Sequence, residues 1–75
     1  MAPQRHPATL QLLRWFDADH LPEGLPRNVS VMVGNTARLL ADVLPNGPEL
    51  STGLRKLLEA KDCLVRAAID AERNG

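Results

Sequence analysis

The sequence predicts an all-α fold, on three observations. Between positions 50 and 68 the apolar residues Leu50, Leu54, Leu57, Leu58, Leu64, Val65 and Ala68 recur at about 100° per residue, the period of one helix face. Proline and glycine gather at 22–26 and 45–48, which divides the chain into segments of helical length. The β-branched run at 29–33 (VSVMV) has no second strand candidate to pair with.

The elements follow in order. Residues 1–7 hold two prolines among polar and basic residues and read as a loose N-terminal arm. Residues 8–16 form a short helix, with Leu10, Leu13 and Phe16 inward and Leu12 and Trp15 widening that face. Asp17 to His20 ends it, and residues 21–26 (LPEGLP) make a Pro/Gly elbow that cannot stay helical. The second helix runs from about 27 to 43, because Val29, Val33, Thr36, Leu40 and Val43 keep helical spacing through Gly34; that glycine weakens it locally. Residues 44–48 (LPNGP) reverse the chain. The last helix runs from about 48 to 73, with Pro48 pre-set for the first turn and Glu49 where the helix dipole favours an anion. Arg55–Glu59, Asp62–Arg66 and Arg66–Asp70 are opposite-charge i,i+4 pairs on its polar side. The expected protomer is one small helical domain over 1–75. Its last two helices form an antiparallel hairpin, and the short first helix crosses one end.

Composition adds an expectation of self-association. A chain of 75 residues buries only about 60% of its unfolded surface. With one Trp, one Phe and no Tyr its core is aliphatic and thin, the situation in which small domains pair with copies of themselves. Ala60, Ala67 and Ala71 form a small-residue strip beside the leucine stripe that would admit another helix closely. Lys61 falls inside the leucine stripe. Two readings stay open: a snorkel with its ammonium at the rim, or a charge paired with a carboxylate or phosphate at a subunit seam.

Several function classes lose support. Nine basic and nine acidic residues cancel, against the basic excess of proteins that track nucleic-acid backbones, so DNA binding is not expected. The turn also suits a hairpin better than a helix-turn-helix reader. The single Cys63 excludes an internal disulfide and an all-cysteine metal site, and reads as a bystander thiol. His6 and His20 lie on different segments, and neither a metal motif nor a nucleophile–base pair is present, so no metal, cofactor or catalysis is expected. No apolar run reaches membrane length and the N-terminus lacks a signal core; a soluble intracellular protein is expected. One constellation suits a small anion. Ser51, Thr52 and Arg55, with Lys56, occupy the first turns of the last helix, where hydroxyls, a guanidinium and backbone N–H groups can meet a phosphate. Ordinary surface chemistry, with Arg55 tied to Glu59, is the competing reading.

Two stretches carry a resemblance. Residues 16–22 (FDADHLP), and residues 44–49 (LPNGPE) followed by 54–62 (LRKLLEAKD) and 65–67 (VRA), are together similar to a family of small bacteriophage proteins, the anti-CBASS sponges. These sequester the cyclic oligonucleotide signals of bacterial immunity. The resemblance spans about two thirds of the chain, and its second part is the more specific. It implies an all-helical protomer, a compact homohexamer, no catalysis, and action in the cytoplasm of the infected host. Cyclic dinucleotides would be held between protomers, and cyclic trinucleotides at separate sites in some members. The chain departs from the family pattern at Ala18, where an aromatic is common, and at Val31, where a lysine is common. Those changes remove a stacking platform and a cation. Arg55, Ser51, Thr52, Arg27 and Trp15 are then the expected ligand residues, with charge contacts dominant and a cyclic trinucleotide favoured over a dinucleotide. The alternative is a helical oligomeric adaptor acting by protein–protein contact, its nucleotide pockets lost.

Overall fold

The computed structural model describes residues 7–18 and 20–74. Over these residues the chain is helical: α1 (Pro7–Arg14), α2 (Leu25–Val43) and α3 (Pro48–Asn74), with no strand among them. Pro7, expected in the arm, is the first residue of α1, where its missing N–H costs nothing. The rest of that arm, 1–6, lies outside the described residues. α1 ends two residues before expected, at Arg14, and α2 begins two residues early, at Leu25. Past Arg14 the chain tightens: Trp15, Phe16 and Asp17 donate their N–H groups to the carbonyls of Leu12, Leu13 and Arg14, each three residues back.

α2 starts on a borrowed cap. Gly24 precedes it with φ 140°, a conformation that suits glycine, and supplies no side chain to the exposed N–H groups. Glu72, near the end of α3, fills the role: its Oε2 accepts the N–H of Leu25 at 3.2 Å and sits at the positive end of the α2 dipole. A Cβ on Gly24 would lie 2.9 Å from that same oxygen. At the other end, Leu40 and Leu44 share a groove with Leu50 and Leu54 from the start of α3. α3 begins as expected, with Ser51 N–H bonded to Gly47 O and Glu49 in the first turn.

The core is small: Leu13, Phe16, Ala37, Ala41, Leu50 and Leu54, edged by Leu12, Val33, Leu57 and Leu58. Phe16 and Leu54 are its fully buried large side chains. Several side chains expected inside lie outside. Leu10 on α1 is exposed, and so is Trp15, because the tightened turn after Arg14 carries Phe16 inward and leaves Trp15 facing out. On α3, Leu64 is exposed. The buried face of α2 is Pro26, Ser30, Gly34, Ala37 and Ala41; of the residues whose spacing predicted the helix, Val29 and Val33 are half-buried and Thr36, Leu40 and Val43 are exposed. Size explains the choice. A Cβ on Gly34 would lie 2.8 Å from the Phe16 carbonyl oxygen, so only the small-residue face lets α2 come this close to the end of α1.

Candidate functional site

The end of α1 meets one face of α3 at a cleft of about 640 Å³ lined by Arg14, Trp15, Asp17, His20, Leu58, Lys61 and Asp62. Its floor follows from backbone chemistry. A helix end leaves carbonyls without partners, and the Trp15 carbonyl just beyond α1 is answered by Lys61, whose Nζ donates to it at 2.6 Å. The same ammonium stands 5.9 Å from the centroid of the Phe16 ring. Lys61 is 6% exposed, so it is not a snorkelling surface lysine. Within the protomer its partner is a carbonyl, not the carboxylate or phosphate that was the other reading. A cation at a helix C-terminus also complements the negative end of the helix dipole.

Leu58, Lys61 and Asp62 reach the cleft together because i, i+3 and i+4 share one face of a helix. Arg14 ends α1, Trp15 follows it in the tightened turn, and Asp17 and His20 come from the chain beyond. Trp15 is 63% exposed and presents a flat aromatic surface beside a guanidinium, an ammonium and two carboxylates. Such a set can stack a ring, pair a phosphate and accept from amino or hydroxyl groups.

The five residues expected to bind ligand are not brought together within one protomer. Trp15 lines this cleft. Ser51, half-buried, faces a shallow hollow with Ala8, Gly47 and Pro48. Arg27, also half-buried, lies in a third depression with Glu23, Asn28 and Val31. Thr52 and Arg55 are exposed on the outer side of α3. Of the two departures from the sponge pattern, Ala18 is buried against the protein and Val31 is exposed. Sequence reasoning passed over Arg14, Asp17, His20 and Asp62 as site residues. Lys61 did carry a signal, a charge placed within a leucine stripe, but its partner could not be read from spacing.

Cys63 is exposed on the far side of α3, where Arg66 Nη2 donates to its Sγ at 3.3 Å. Among the described residues no group of three or more His, Cys, Asp or Glu side chains is placed to hold a metal ion. No helix of the described residues is long and apolar enough to cross a membrane. Searches of protein-family models, curated proteins and solved structures find no match to this chain.

Proposed function

We propose that this protein is a non-enzymatic sponge that binds cyclic oligonucleotide second messengers in the cytoplasm of an infected bacterium and so blocks anti-phage immunity. Its protomers would be antiparallel helical hairpins assembled as a homohexamer. The observation that carries the reading is the Trp15–Lys61 cleft. An uncovered indole offers a base a stacking surface, a contact worth about 1–3 kcal/mol per base. Arg14 supplies a planar fork for a phosphate, and Asp17 and Asp62 supply acceptors for amino or ribose hydroxyl groups. In an assembly, Ser51, Thr52, Arg55 and Arg27 belong to surfaces that a neighbouring protomer can carry to the ligand.

Trp15 is the only tryptophan, so its fluorescence is a direct probe. Titration with a cyclic trinucleotide and a cyclic dinucleotide is expected to quench it. The trinucleotide should bind more tightly, since three phosphates gain more from charge contacts than two, and the ligand should be recovered intact by mass. Arg14→Ala and Arg55→Ala are each expected to weaken binding by roughly tenfold or more. Hydrolysed ligand would overturn the non-enzymatic claim. If neither ring binds at high micromolar concentration, the reading passes to a helical adaptor acting by protein–protein contact.

A further inference from the structure

The Trp15–Lys61 cleft holds a carboxylate that the protomer does not use. Asp62 follows Lys61 on α3 and lines the cleft together with the exposed indole. Among the described residues its carboxylate has no hydrogen-bond or ion-pair partner. Arg66, the counter-charge expected four residues on, directs Nη2 to Cys63 Sγ at 3.3 Å instead. Lys61 is committed within the protein: its Nζ donates to the Trp15 carbonyl at 2.6 Å, and the residue is buried. The lining residues then leave Arg14 as the one accessible permanent cation, against Asp17 and Asp62. Phosphates alone match that charge pattern poorly, since an ionised carboxylate repels them and can only accept hydrogen bonds. A ligand that reaches Asp62 has to bring donors.

We infer that Asp62 reads the Watson–Crick edge of a guanine stacked on Trp15, so that the cleft selects guanine-containing cyclic oligonucleotides. Guanine is the common base whose pairing edge carries two adjacent donors, N1–H and the 2-amino group, and the two oxygens of a carboxylate accept both in parallel. Adenine and cytosine each set a ring-nitrogen lone pair beside their amino group, and uracil sets one N–H between two carbonyls. Each of these turns at least one acceptor toward the carboxylate, where neither group is satisfied. The fold keeps the two halves of the site in register. Lys61 Nζ ties α3 to the Trp15 carbonyl, and Asp62 is the next residue of the same helix, so the acid holds a fixed station relative to the Trp15 backbone. The cleft, at about 640 Å³, falls within the roughly 300–1,000 Å³ of small-molecule sites, room for a base and its sugar. Arg14 remains for the phosphate, as in the proposed function.

The inference rests on the cyclic-oligonucleotide reading and deepens it by naming a base. Calorimetry on the full chain tests it with three cyclic trinucleotides. One carries a single guanine among adenines, one is the all-adenine ring, and the third has hypoxanthine in place of the guanine, which keeps N1–H and loses the 2-amino group. The guanine ring should bind about tenfold or more tighter than the adenine ring, the discrimination of one good bidentate contact, with the hypoxanthine ring between them. Asp62→Asn should weaken the guanine ring about tenfold and tighten the adenine ring, because it removes a negative charge beside a polyanion. A merely structural role for Asp62 would weaken both rings, and that result overturns the assignment. So does a guanine preference that survives Asp62→Asn. Should the variant not fold, the hypoxanthine ring decides in the parent alone, where binding equal to that of guanine overturns the inference. If all three rings bind the parent alike, the sponge reading stands and the guanine assignment falls. If none binds at high micromolar concentration, both fall.

Discussion

Lys61 shows how one residue can join two helices. It rises from the buried face of α3, and its ammonium closes the open end of α1 through the Trp15 carbonyl. That arrangement sets a desolvated charge against a strong hydrogen bond, a ring contact and the dipole of α1. Replacing it tests which side wins. Lys61→Met keeps the stem and its packing but leaves the carbonyl unsatisfied, which costs about 1–3 kcal/mol. The Phe16 contact adds about 0.5–1 kcal/mol to that loss. We expect denaturant unfolding of Lys61→Met to show a loss of about 1.5–4 kcal/mol. A variant as stable as the parent would mean that desolvation of the ammonium cancels everything it gains.

At the scale of the element, α2 is decided by the sizes of its side chains more than by their polarity. Its most buried positions are small residues and most of its large ones face outward, so the hydrophobic period alone does not single out the buried face. Gly34 is the pivot. In an exposed helix, glycine to alanine gains about 1 kcal/mol of propensity. Here the added methyl would stand 2.8 Å from the Phe16 carbonyl oxygen and 3.0 Å from Arg38 Nη1. The arginine can swing away, but the backbone carbonyl cannot move without shifting α1. Gly34→Ala is therefore expected to lower stability by about 1–3 kcal/mol, a typical cost of overpacking. Gly53→Ala serves as the counterpart, because nothing lies within 4 Å of that Cβ. It should raise stability by up to about 1 kcal/mol. Melting curves in which both substitutions stabilise would show that α1 does not press on α2 at Gly34.

For the whole molecule, the balance of buried and exposed surface points beyond the protomer. Among the described residues Phe16 and Leu54 are the large apolar side chains that are fully buried, while eleven large apolar residues are exposed. A protein whose stability is completed by its own copies obeys mass action, so its melting temperature depends on concentration. Calorimetry at low and high micromolar concentration should show the midpoint rising with protein concentration. A midpoint independent of concentration would place the full stability in the isolated protomer.

The all-helical class, the start of α3 at Pro48 and the anomaly of Lys61 were determined by the sequence alone. Each depends on local physics: the ring of Pro48 fixes a first turn, the leucine period fixes a face, and a charge within that face stands out against its neighbours. Trp15 is a candidate ligand residue from the sequence, and it lines the cleft between the end of α1 and α3. Only the tertiary structure decided which face of α2 is buried, that Glu72 caps α2 from 47 residues away, and that Trp15 lies with Arg14, Asp17, His20 and Asp62. Those outcomes depend on how closely two helix backbones can approach. That distance is set by the partner element, here the end of α1 pressing on Gly34, and periodicity along one helix carries no information about it.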